Sequence, residues 1–128
     1  MTSETKSWLD FAQEDFIVAK HLYDALYPKP LEIICYHCQQ AAEKAIKSVI
    51  VSLGCPGGLP KRHDLSFLLD QIHNSVPVSD ALYDAADALT PYGVAARYPN
   101  EMFLEERHAL QAIRDAELIL NWADQILR

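Results

Sequence analysis

A histidine sits inside a cysteine pair in CYHC, Cys35 to Cys38. Thiolate and imidazole are zinc ligands, and C-x-x-C is also the unit of dithiol redox chemistry. Gln40 and Lys44 follow within the same stretch, CYHCQQAAEKAIKSV. Much further along, PYGVAARYPN carries a lone arginine, Arg97, directly before Tyr98. Arginine presents a planar five-donor fork suited to phosphate or carboxylate. It also serves ordinary ion pairs, in which case Arg97 would meet an acidic neighbour and Tyr98 would fill a groove between helices.

The elements that carry these residues decide between the readings. Apolar residues at three- and four-residue steps predict a first helix over about Glu4–Leu26, with Leu9, Ala12, Phe16, Ala19, Tyr23 and Leu26 inward. Pro28 and Pro30 end it. A second helix runs over about Leu31–Leu53, closed by Gly54. CPGGLPKR is a loop by composition. Asp64 caps a third segment bearing Leu65, Leu68, Leu69 and Ile72, and His63 is expected to help that cap. Ser79 opens a fourth with Leu82, Ala85, Ala86 and Leu89, flanked by Val78 and Tyr83 in staple positions. Pro91 and Gly93 bend or break it before Arg97. A fifth spans about Phe103–Arg128, with Ala109, Ile113, Ala116, Leu120, Ala123 and Leu127 inward. No segment alternates as a strand would. The fold class is therefore all-α: an antiparallel up-and-down bundle of four to five helices, in a single domain over 1–128.

Helical phase tests the cysteines. At about 100° per residue, Cys35 lies about 60° from Cys38, and Ala42, Ala45 and Val49 within about 40°. Both thiols sit in the apolar stripe, where cysteine behaves as a small hydrophobe. A redox pair needs its first thiolate at a helix N-terminus, and a structural zinc needs about four ligands. Core packing is the favoured reading, and neither a metal nor a cofactor is expected. His37 lies about 100° from Cys38, beside Ile33, Gln40, Lys44 and Val51. That flank reads as a partly exposed helix face, a second packing surface or a groove wall.

The bulk properties narrow the class. The chain has 128 residues, half of them hydrophobic, and a formal charge of −7. Acidic surfaces repel phosphate backbones, so RNA is disfavoured as a nonspecific partner. No run approaches the roughly 18 apolar residues of a membrane span. The start, MTSETKSWLD, lacks a signal-peptide layout, and three cysteines make no disulfide framework. A reducing cytoplasm is the expected setting. Phosphate-cradling glycine loops, a serine elbow and H-E-x-x-H are all missing from the sequence.

YHCQQAAEKAIKSVIVSLG resembles the signature helix of HEPN-domain proteins, aromatic-His-x-Gln-Gln-Ala-x-Glu-Lys-x-x-Lys. Arg62–Leu68, R-H-D-L-x-x-L, resembles the family's next segment, and Ala95–Pro99, A-A-R-Y-P, its Arg-Tyr-Pro element. The last helix, with Ala109, Ala112 and Ala116, also fits, so the resemblance extends from Trp8 to about Leu127.

That resemblance implies a bundle that often dimerises and is commonly partnered with a minimal nucleotidyltransferase. Some members are RNA-cutting toxins whose nucleotidyltransferase is the antitoxin, and others are proposed to bind nucleotides. In the RNases an Arg is followed four to six residues later by His, and two such motifs meet at a dimer interface. This sequence departs there. Met102, Phe103 and Leu104 occupy the histidine positions after Arg97, and His108 comes eleven residues on. Cleavage of RNA without a metal then loses its obvious proton acceptor. The resemblance therefore implies a non-catalytic, homodimeric HEPN module with a nucleotidyltransferase partner. A nucleotide or other anion would sit near Arg97 and Tyr98, with His37, Gln40 and Lys44 as co-liners if the second and fourth segments pack side by side. The alternatives are a metal-independent RNase toxin, in which His37 or His108 reaches Arg97 through space, and a purely structural module.

Overall fold

Local capping chemistry sets where the helices begin. In the computed structural model, which describes residues 1–54, 58–94 and 102–128, Thr2 Oγ1 accepts the Thr5 N–H (3.1 Å) and opens α1, Ser3–Ala25. Asp64 caps α3, Leu65–Asp70, and Ser79 caps α4, Asp80–Leu89. Each supplies a side-chain oxygen to an N–H that the first helical turn leaves unpaired. α2, Leu31–Ser52, begins after Pro30 without a side-chain cap. At the end of α1, Lys29 Nζ donates to the Tyr23 carbonyl (2.6 Å) while lying over the Tyr23 ring. Gly54, at a φ of 72°, takes the left-handed turn that releases the chain from α2. α4 runs into a single 3₁₀ turn, Thr90–Gly93, where Pro91 and Gly93 were expected to bend it.

α5, Glu106–Leu127, starts later than its apolar pattern predicts. Glu105 and His108 cap each other's backbone: the Glu105 side chain takes the His108 N–H, and His108 Nδ1 takes the Glu105 N–H (2.9 Å). Phe103 therefore lies outside the helix and is 86% exposed. Leu26 is likewise exposed rather than inward, because α1 ends one residue before it. The other inward residues expected for α1–α5 are buried or packed against the core.

α2 is the central element. α1 and α5 pack along most of its length, and α3, α4 and the 3₁₀ turn close over its remaining side. Ala12 and Ala19 of α1, Ala41, Ala42 and Ala45 of α2, and Ala109, Ala112, Ala116 and Ala123 of α5 are all buried. Small residues at these contacts let the helix axes approach closely. Ile34, Ile46, Leu65, Leu68, Leu69, Leu89 and Ile119 fill the spaces between them. Truncating one such side chain to alanine costs about 2–5 kcal/mol. Trp122 Nε1 donates to the Pro77 carbonyl (2.8 Å) and ties the connection before α4 to α5. The fold is a helical bundle with no strand among the described residues. Among the described residues no helix is long and apolar enough to cross a membrane.

Candidate functional site

The signature stretch of α2 divides into three faces. Cys35 and Cys38 point into the core and are fully buried. Burial pushes the Cys35 thiol up to about 12, with Glu32 adding to it, and raises Cys38 as well. Thiols held protonated in this way are poor nucleophiles and poor metal ligands. Among the described residues no three His, Cys, Asp or Glu side chains gather as metal ligands would. Cys55 lies outside the described residues.

The second face is polar and yet buried. Gln39 is fully buried, and Glu43 and Lys47 nearly so. Gln40 donates to Gln39 Oε1 (2.7 Å), and Gln39 donates to Glu43 Oε1 (3.0 Å). Lys47 Nζ bonds Glu43 Oε2 (3.0 Å) and lies 5.7 Å from the centre of the Trp8 ring. His63 Nδ1 reaches the same carboxylate (2.8 Å). His63 thus pairs with Glu43 and leaves the capping of α3 to Asp64, contrary to its expected role. Burial opposes charge on Glu43, but hydrogen bonds from Gln39, His63 and Lys47 outweigh it and hold the carboxyl below its ordinary range. Above this cluster the backbone of Gly93 approaches so closely that a Cβ there would stand 3.0 Å from the Gln39 amide. A side chain here would press on the Gln39 amide, which Gln40 and Glu43 hold in place from either side.

The third face meets α1. Asp15 Oδ1 accepts from His37 Nδ1 (2.9 Å), and Asp15 Oδ2 binds Lys44 Nζ (2.6 Å). A carboxylate facing Nδ1 places the proton on that nitrogen and leaves Nε2 as the basic one. The structure brings His37 and Lys44 together through Asp15, a partner the sequence did not identify. Gln40 instead joins the buried network. Arg97 and Tyr98 lie outside the described residues.

A separate cleft of about 380 Å³ opens between the end of α4, the 3₁₀ turn and the first turns of α5. Ala88, Tyr92, Arg107, His108, Gln111, Ala112 and Asp115 line it. Capping fixes the His108 tautomer: Nδ1 accepts the Glu105 N–H, so in the neutral ring the proton is on Nε2. Asp115 accepts from Gln111 Nε2 (3.0 Å). Burial raises its carboxyl above the ordinary range despite that bond. Tyr92 is raised too, by burial first and then by Cys35, Asp115 and Cys38. Sequence reasoning missed this cleft. The polar stripe His108, Gln111 and Asp115 beside Ala112 was visible at helical spacing, but nothing in the sequence placed Tyr92 and Ala88 opposite it.

Comparison with known proteins identifies the family and the fold. A family model described as the HEPN domain matches residues 5–126. The chain belongs to the HEPN-domain family. A protein of Methanocaldococcus jannaschii named "Putative toxin MJ1304" is 30% identical, over 95% of this chain and 82% of that protein. The crystal structure of ST0689, an archaeal HEPN homologue, superposes with a TM-score of 0.75 at 27% identity, covering 95% of this chain and 97% of that one. That of TT1696 from Thermus thermophilus gives 0.83 at 23% identity, covering 98% and 99%, a likeness of fold.

Proposed function

We propose that this chain is a non-catalytic HEPN module in a toxin–antitoxin setting, homodimeric, partnered with a minimal nucleotidyltransferase and able to hold a nucleotide or other anion. The commitment of His108 Nδ1 to the α5 cap carries the non-catalytic part. The histidine that follows Arg97 along the chain has no lone pair to spare for a substrate proton while that cap is in place. The named toxin relative, which aligns along nearly the whole chain, supports the two-component setting. Phe11 and Val18 flank Asp15 on α1, and Ile33 lies one turn before His37 on α2; all three are exposed. They give the α1–α2 flank the apolar edge a second copy would cover. The chain spans one unit, 1–128, in this reading.

A second reading is favoured by one observation. The Asp15–His37 pair orients an imidazole and leaves its other nitrogen as the basic one, as acid–base sites require. In that case the chain is a metal-independent RNase toxin in which His37 replaces the missing motif histidine. Expression of the chain alone separates the two. The non-catalytic module leaves growth and total RNA unchanged and co-purifies with a nucleotidyltransferase encoded beside it. Growth arrest with RNA cleavage, abolished by His37→Gln or Arg97→Ala, would instead establish the RNase.

A further inference from the structure

The α5 cleft has the layout of a binding site with two unlike ends. Arg107 and His108 stand in the first turn of α5, and Asp115 stands about two turns further on, roughly 11 Å at 1.5 Å per residue. The first-turn end offers donors: the Arg107 guanidinium and the His108 Nε2–H, next to the positive end of the helix dipole. Arg107 is paired with Glu105 at 3.4 Å between two exposed side chains, a contact weak enough to yield to a phosphate. The far end offers an acceptor. Asp115 takes its hydrogen bond from Gln111, and a carboxylate has capacity for more. Between the ends, Ala88 and Ala112 are small enough to leave a slot, with the Tyr92 ring beside it. An anion at one end, a flat apolar body and a hydrogen-bond donor at the other end describe its complement.

We propose that this cleft binds a nucleoside monophosphate whose base carries an amino group. Its phosphate lies on Arg107 and His108, its base in the slot between Ala88, Ala112 and Tyr92, and its amino group donates to Asp115. The proposal rests on the nucleotide-holding part of the function proposed above. It moves the ligand away from His37, Gln40 and Lys44 and makes Asp115 the residue that selects the base.

Calorimetric titration of the full chain tests it with four probes: AMP, IMP, adenosine and inorganic phosphate. AMP is expected to bind, and IMP, which has a carbonyl oxygen in place of the amino group, to bind about tenfold more weakly, because that acceptor faces the Asp115 carboxylate instead of donating to it. Adenosine and inorganic phosphate, each offering one end only, bind more weakly than AMP. Ala88→Leu, a substitution at an exposed helix position that fills the slot, abolishes AMP binding with its melting temperature retained. Asp115→Asn removes the preference for AMP over IMP. Equal affinities for AMP and IMP, or AMP binding unchanged in both variants, would overturn the cleft assignment while leaving nucleotide binding elsewhere intact. Failure of every probe to bind overturns the cleft and the nucleotide part of the proposed function together. The partnership is judged apart from either, by co-purification.

Discussion

Glu43 and Asp115 are both carboxyls set partly into the dry interior of one bundle, and burial makes charge costly on each. They nevertheless move in opposite directions from the ordinary range. Glu43 receives hydrogen bonds from Gln39, Lys47 and His63, and its carboxyl is lowered. Asp115 receives one from Gln111, and its carboxyl is raised. The number of donors aimed at the charged form therefore decides the sign. A carboxylate that takes three hydrogen bonds in the interior serves as structure. One with capacity left over, beside a cleft, is the better candidate for binding.

The largest test of this contrast is Glu43→Ala. It leaves the Lys47 ammonium buried with no counter-charge and removes the acceptor of Gln39, and should cost about 3–5 kcal/mol in urea unfolding. A loss below about 1 kcal/mol, the scale of an exposed ion pair, would mean that water relaxes the cluster and that it is no different in kind from the cleft. Gly93→Ala comes next. Its new Cβ meets the Gln39 amide at 3.0 Å, an overpacking that should cost about 1–3 kcal/mol, again read from the denaturation midpoint.

The pH dependence sharpens the contrast further. Glu43, with a lowered folded pKa, contributes stability above its unfolded value and loses it as pH falls through the folded one. Asp115, with a raised folded pKa, contributes below its unfolded value and loses that as pH rises through the folded one. Asp115→Asn should therefore gain a little stability relative to wild type at neutral pH, with the gain fading in acid. A neutral replacement of Glu43 should show the reverse trend, its deficit shrinking in acid. Parallel profiles from urea melts across acid and neutral pH would contradict the assignment of the two carboxyls. The smallest effect is expected from Arg107→Gln, within about 0.5 kcal/mol of wild type, because its ion pair is exposed. A larger loss there would make the cleft a structural element.

The helices were legible in the sequence because their signals are local. Asp64 and Ser79 lie just before apolar-periodic segments, and capping of this kind depends only on residues a few positions away. The helical phase that carried Cys35 and Cys38 into the core is local too. In two of the three places where the reading fell short a longer-range partner had intervened, and in the third a local cap was overlooked. His63 looked like a helper of the α3 cap and is claimed by Glu43, twenty residues earlier in the chain. The start of α5 looked apolar-driven from Phe103, and the Glu105–His108 exchange set it at Glu106. His37 was visible as a flank residue, but its tautomer came from Asp15 on another helix.

Sequence periodicity and motif order thus determined the all-helical bundle, the burial of the cysteine pair and the family, because each is written in spacings within single helices. Tertiary structure decided which polar residues of α2 are interior framework, which nitrogen of His37 carries the proton, and that Tyr92 and Ala88 face Arg107, His108 and Asp115 across a cleft. Those outcomes depend on which helices become neighbours and on the direction from which donors approach a buried charge. Neither is encoded at any fixed separation along the chain.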